Sequence, residues 1–279
     1  MEPLGPKSQV VQLCERLGRE RRAREESGLA LLEGVRLVEE ALHSGVALEQ
    51  VLWSEELTAK PRGEALLAEL AAAGVKLTAV TPAALARAAD TESPQGIVGL
   101  FRPRHWRLDE LGPGLVLLLE NLQDPGNLGT ILRSMEALGG AGVVLAGGVD
   151  PYNPKVVRSA MGALFRLPLI RTSLAEAIGG LRGRPRGCNL LRGQTGDLLG
   201  DCRPVWVADL GGAHAPWQAD LATDAVLIIG NEGNGPSPEA VAAADGVVTI
   251  PMPGPTESLN AGVAAALLLY EAMRQRTLR

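Results

Sequence analysis

Residues 114–121, GLVLLLEN, carry five consecutive apolar side chains and end just before the turn Asp124-Pro125-Gly126. So short and continuous a run fits a strand buried on both faces, which is how strands of a helix-covered parallel sheet read. The sequence after it alternates in the same way. A helix is expected over 127–140, a strand over 141–147, a helix opened by Pro154 over 154–165, a strand over 167–172, and a helix over 173–183 with Ser173 as its N-cap. Strands follow at 205–210, 225–231 and 247–252, with a helix at 237–245 between the last two. The chain closes on one long helix from Ser258. This is an α/β fold.

The N-terminal part is a smaller version of the same alternation. Strands are expected at 29–34, 48–54, 75–81 and 96–102, with helices at 35–45, 62–74 and 82–90. Residues 1–26 read as one opening helix in which Arg16, Arg19, Arg21, Arg22 and Arg24 interleave with Glu15, Glu20, Glu25 and Glu26, a pattern of solvated ion pairs. Between the two parts, PRHWRLDELGP breaks the periodicity. The expected organisation is therefore a small α/β domain over 1–104, a linker over 105–113 and a second α/β domain over 114–279, consistent with a length of 279 residues.

Several classes are excluded. No run of about 18 uncharged apolar residues exists to span a membrane, and the N-terminus lacks a signal peptide's apolar core. Cys14, Cys188 and Cys202 form no CxxC pair, so neither a disulfide framework nor a structural metal site is expected, and a reducing, cytoplasmic compartment is. The net charge of −5 argues at first against a nucleic-acid partner, but it is uneven. Lys155, Arg158, Arg166, Arg171, Arg182, Arg184, Arg186 and Arg192 face only Glu176 among them, a net +7 that leaves −12 elsewhere. Arginine outnumbers lysine 23 to 4, which suits planar contacts to phosphate and equally follows from coding bias.

Three loops carry the chemistry. In the first, NLQDPGNLGTILRSMEALG, a buried strand turns into a helix bearing Asn127 and Arg133, the edge where α/β proteins place ligands; taken alone, Asn127 reads as a helix cap and Arg133 as a surface ion-pair member. Neither GxGxxG nor GxxxxGK[ST] is present. In the second, IIGNEGNGPSPE, glycines permit close backbone approach around Glu232, a candidate site acid at a strand's carboxyl end. In the third, IPMPGPTESLNAGVAAALLLYE, prolines stiffen a loop ahead of Ser258 and Asn260; Ser258 reads as a helix N-cap, and the small-residue face beyond it as close packing.

Together these loops resemble the SpoU/TrmH family of SPOUT methyltransferases, through NLQDPGNLGTILRS, IGNEGNG and IPMPGPTESLN followed by VAAALLLYE. The opening helix, LLEGVRLVEEAL and TESPQGIVGLF resemble the family's RNA-binding domain. The resemblance implies a parallel SPOUT domain ending in a trefoil knot, S-adenosylmethionine (AdoMet) as cofactor, and methyl transfer to a ribose 2′-OH, most readily of 23S ribosomal RNA. A tRNA substrate and a non-catalytic RNA-binding relative are the alternatives. It implies a homodimer with its active site at the subunit interface, and it calls for no metal. By position it implies Asn127, Arg133, Glu232, Ser258 and Asn260 as catalytic-site residues, and Leu210, Gly230, Ile250 and Leu259 as cofactor contacts.

In that scheme a poor nucleophile must lose its proton as it attacks in line. His43, His105 and His214 all lie outside the motifs, and a guanidinium holds its proton too tightly to act as a base. Arg133 is expected to anchor the target phosphate and stabilise the developing alkoxide, while the proton leaves through that phosphate or a water. Asn127, Ser258 and Asn260 would orient ribose and cofactor, and Glu232 would position Arg133 or Asn127. The sequence departs from the family at Ala261-Gly262, where many members read Val-Ser, and at GNGPSPE, where Gly-Leu is commoner. RNA binding is expected to weaken steeply with salt.

Overall fold

The computed structural model describes residues 2–182 and 203–278. Residues 183–202, with Arg184, Arg186, Cys188, Arg192 and Cys202, lie outside them. Among the described residues there are ten strands: β1 Ala30–Glu33, β2 Ala47–Trp53, β3 Leu77–Ala79, β4 Ile97–Arg102, β5 Val116–Glu120, β6 Gly142–Ala146, β7 Leu169–Arg171, β8 Val205–Ala208, β9 Val226–Ile229 and β10 Gly246–Val248. Each falls within, or one residue from, a stretch expected from apolar patterning.

The chain forms two compact units, Met1–Arg104 with Asp150–Arg166, and His105–Val149 with Leu167–Arg279. The first holds a four-stranded mixed sheet ordered β1-β4-β2-β3, in which β4 runs antiparallel to both neighbours. The second holds a fully parallel six-stranded sheet ordered β10-β8-β9-β5-β6-β7. Every residue of β5, β6 and β9 is buried, as expected for central strands covered on both faces.

Three expectations are corrected. The opening helix is two helices, Gln9–Arg19 and Arg21–Ser27, because Glu20 adopts an extended backbone at φ −111°, ψ 115°. The pairs Arg16–Glu20, Arg19–Glu15, Arg21–Glu25 and Arg22–Glu26 lie on the surface as expected. Arg24 does not: its side chain is 5% exposed and donates Nε to Asp150 Oδ2 at 2.7 Å and a terminal nitrogen to the Leu17 carbonyl.

The 154–165 helix is likewise broken into Pro154–Ser159 and Ala163–Arg166, with Met161 and Gly162 between them both at positive φ. This segment packs with the N-terminal unit. Arg24 holds Asp150, Arg158 pairs with Asp90 at 2.7 Å, Arg166 pairs with Glu40 at 2.8 Å, and Tyr152 and Phe165 meet Phe101 edge-on. The +7 stretch is therefore divided: Lys155, Arg158 and Arg166 belong to the first unit, and only Arg171 and Arg182 among its described members lie with the three loops. A one-dimensional charge count could not see that boundary, which follows from where residues 150–166 pack.

Candidate functional site

The three loops converge at the carboxyl edge of the parallel sheet. After β5 the chain turns through Asp124, whose side chain accepts the Asn127 N–H at 2.8 Å and so caps the Pro125–Ala137 helix. Asp124, not Asn127, is thus the cap, and the Asn127 side chain is left for other partners. Its Nδ2 donates to Glu232 Oε1 at 3.1 Å, and its Oδ1 accepts from Asn260 Nδ2 at 2.8 Å. Asn260 Oδ1 in turn accepts the N–H groups of Gly262 and Val263 at 2.9 and 3.2 Å. Asn260 is therefore the N-cap of the Ala261–Thr277 helix, a role the sequence suggested for Ser258. One continuous relay of oriented amides joins the first turn of that helix to the second-loop carboxylate.

Glu232 closes the relay as a clamp. It accepts the backbone N–H groups of Gln123 and Asp124 at 3.0 Å as well as the Asn127 amide. Partial burial works against its charge, but the bonds from Asp124, Gln123 and Asn127 outweigh that and hold its carboxyl below the usual carboxylate range. A carboxylate so satisfied is a weak base. Glu232 positions Asn127, and no bond from it to Arg133 exists in this chain.

Asn231, which sequence reasoning passed over, organises the second loop. Its Oδ1 accepts from Gly233 and Asn234 N–H, and its Nδ2 donates to the carbonyl of Asn121, itself at φ 52°. An Asn between a strand and Gly-x-Gly is the signal that could have found it.

Two cavities open here. One, of about 390 Å³, is lined among others by Leu210, Gly230, Ile250 and Leu259, the four expected cofactor contacts. Gly230 has a steric reason to lack a side chain: a Cβ would overlap the backbone of Gly235 and Pro236. The other, of about 530 Å³, is lined by Gln123, Asp124, Asn127, Glu232 and Asn260, with Ser258 on the wall common to both. The structure thus brings Asn127, Glu232, Ser258 and Asn260 together.

Arg133 is not among them. It lies six positions beyond Asn127 on the same helix, about 240° around the axis, exposed and lining neither cavity. Among the described residues it has no hydrogen-bond or ion-pair partner.

Comparison with known proteins divides the chain between residues 99 and 114, with 150–166 inside the C-terminal match. Residues 114–270 match the SpoU rRNA Methylase family, and residues 9–99 match the MRM3-like substrate binding domain. The chain is 31% identical over 256 residues to the 23S rRNA (guanosine(2553)-2'-O)-methyltransferase RlmP of Bacillus subtilis (strain 168), covering 90% of each. It is 32% identical over 271 residues to the 23S rRNA (uridine(2479)-2'-O)-methyltransferase of Streptomyces viridochromogenes, covering 92% of this chain and 86% of that one. The crystal structure of the SpoU methyltransferase AviRb from Streptomyces viridochromogenes in complex with AdoMet superposes with a TM-score of 0.83 at 30% identity, covering 98% of this chain and all of that one.

Proposed function

The chain belongs to the SpoU rRNA Methylase family, and on that premise we propose that it methylates a ribose 2′-OH of 23S ribosomal RNA, in the cytoplasm, with AdoMet as donor. The observation that carries this reading is the pair of cavities meeting at Ser258, one walled by apolar side chains and glycine backbone, the other by the amide relay. The first fits AdoMet: Leu210, Ile250, Met252 and Leu259 supply apolar walls for a purine, and Gly230 lets backbone approach it closely. Bound there, AdoMet supplies an electrophilic sulfonium methyl group.

The protein's own groups supply orientation and charge. Asn127 has one amide proton uncommitted after its bond to Glu232, and in this reading it holds the ribose or its phosphate. The Ser258 hydroxyl, on the common wall, orients the attacking oxygen toward the methyl. Glu232 and Asn260 act through Asn127 and are positioning residues. Arg133 stabilises the developing negative charge and anchors a substrate phosphate, and it does so from a second copy of the chain, since its own cavities lie off its face of the helix.

A homodimer is supported by Val263, Leu267 and Tyr270, each about half exposed and spaced to share one face of the Ala261–Thr277 helix. The expected trefoil knot is supported by the order β10-β8-β9-β5, in which β10 pairs outside β8 although β9 intervenes in sequence. Among the described residues no helix is long and apolar enough to cross a membrane.

The test is transfer of labelled methyl from AdoMet to protein-free 23S RNA and, in a parallel reaction, to transfer RNA, followed by mapping of 2′-O-methyl positions. Label at one ribose position supports the reading. Label confined to transfer RNA, or absent with AdoMet bound, overturns the substrate or the activity respectively.

A further inference from the structure

The AdoMet cavity contains a carboxylate that none of the motifs includes, Asp209. It follows β8 in a turn fastened to the neighbouring edge strand. The Asp209 N–H donates to the Val248 carbonyl at 3.1 Å, the Thr249 hydroxyl donates to the Asp209 carbonyl at 2.6 Å, and the same hydroxyl accepts the Gly212 N–H at 2.6 Å. Within that turn Asp209 Oδ1 accepts the Leu210 N–H at 2.8 Å, which sets the side chain's direction. A Cβ on Gly235 would stand 3.7 Å from Oδ1, so the carboxylate lies beside the glycine loop that lines the same cavity. Oδ2 has no partner among the described residues.

A ligand with hydroxyl donors in this cavity has few acceptors to use. Glu232 is filled by three N–H groups, and Asn231 Oδ1 is filled by two. Glu257 also lines this cavity, but it is exposed and directly precedes Ser258, at the wall the two cavities share. Asp209 lines the first cavity and not the second, so it stands away from the wall where transfer takes place. A nucleoside lying between apolar walls presents its sugar edge as two adjacent O–H donors, and a pre-oriented carboxylate is the matching acceptor.

We infer that Asp209 binds the ribose hydroxyls of the cofactor through Oδ2. This rests on the assignment of the first cavity to AdoMet, and it makes Asp209 a cofactor-binding residue that decides between ribose- and deoxyribose-bearing ligands.

The experiment is titration calorimetry of wild type, Asp209→Ala and Asp209→Asn with S-adenosylhomocysteine and with its 2′-deoxy and 3′-deoxy forms. Wild type is expected to bind the parent compound about tenfold or more tightly than at least one deoxy form. Asp209→Ala should lose that factor for the parent and bind all three alike, with an unchanged melting temperature; Asp209→Asn, which retains an acceptor oxygen, should fall between. An Asp209→Ala protein that still discriminates overturns the inference, as does a uniform loss accompanied by a lower melting temperature. Wild type that binds none of the three overturns the cavity assignment itself, a result distinct from either.

Discussion

Asn260 donates its side-chain Nδ2 to Asn127 Oδ1 across 2.8 Å, joining two residues 133 positions apart in the chain. Each amide is fully specified by its other partner, the helix N–H groups on one side and the Glu232 carboxylate on the other. The cap of one helix therefore aims a side chain on another, and stability and reaction geometry meet in the same bond.

Asn260→Ala is expected to reduce single-turnover methyl transfer by about a hundredfold, in the range seen when one orienting donor is lost. It should also destabilise the protein by about 1 kcal/mol through the lost cap. Asn127→Ala should match the kinetic loss, and the double variant should be little worse than either, because the two act as one unit. Additive losses in the cycle would show that the residues work independently.

The clamp at Glu232 has a pH signature. Its carboxyl is held below its unfolded value of about 4.3, so its contribution to stability is complete above that pH and is lost as pH falls through the lower folded value. Glu232→Gln should be less stable than wild type near neutrality, and the difference should shrink toward zero in the acid range. Denaturant titrations of both proteins at several pH values measure it; a gap that widens on acidification contradicts the assignment.

Arg133→Ala should abolish methyl transfer while leaving AdoMet affinity unchanged by calorimetry. If Arg133 serves the partner's site, mixing inactive Arg133→Ala with inactive Asn127→Ala should restore about a quarter of wild-type activity after subunit exchange, since half the dimers are mixed and each holds one intact site. No recovery on mixing would place Arg133 in its own chain's site, and a monomer by light scattering that is fully active would dismiss the dimer.

Asp150→Ala leaves Arg24 buried without its counter-charge and should destabilise the N-terminal unit by about 3–5 kcal/mol. Thermal unfolding checks this. A loss below about 1 kcal/mol would mean that water reaches Arg24 in the variant.

Much of this molecule was readable before any coordinates. The central strands β5, β6 and β9 announced themselves as apolar runs between Gly- and Pro-bearing turns, because burying a strand on both faces requires apolar residues at nearly every position. Asn127, Glu232, Ser258 and Asn260 were singled out by the loop motifs and the family resemblance those motifs carry, as was Gly230, where a Cβ would overlap the backbone of Gly235 and Pro236.

What the sequence could not show was partnership across distance. Asn260 as the partner of Asn127, Asn231 as the tie between the second loop and Asn121, and Arg24 as a buried partner of Asp150 join groups 110 to 133 positions apart. The placement of Arg133 outside its own chain's cavities and the packing of residues 150–166 with the N-terminal unit are likewise set by the tertiary fold. Local patterning reports what each residue would bury or expose; which donor meets which acceptor is decided only when the folded backbone brings them within about 3 Å.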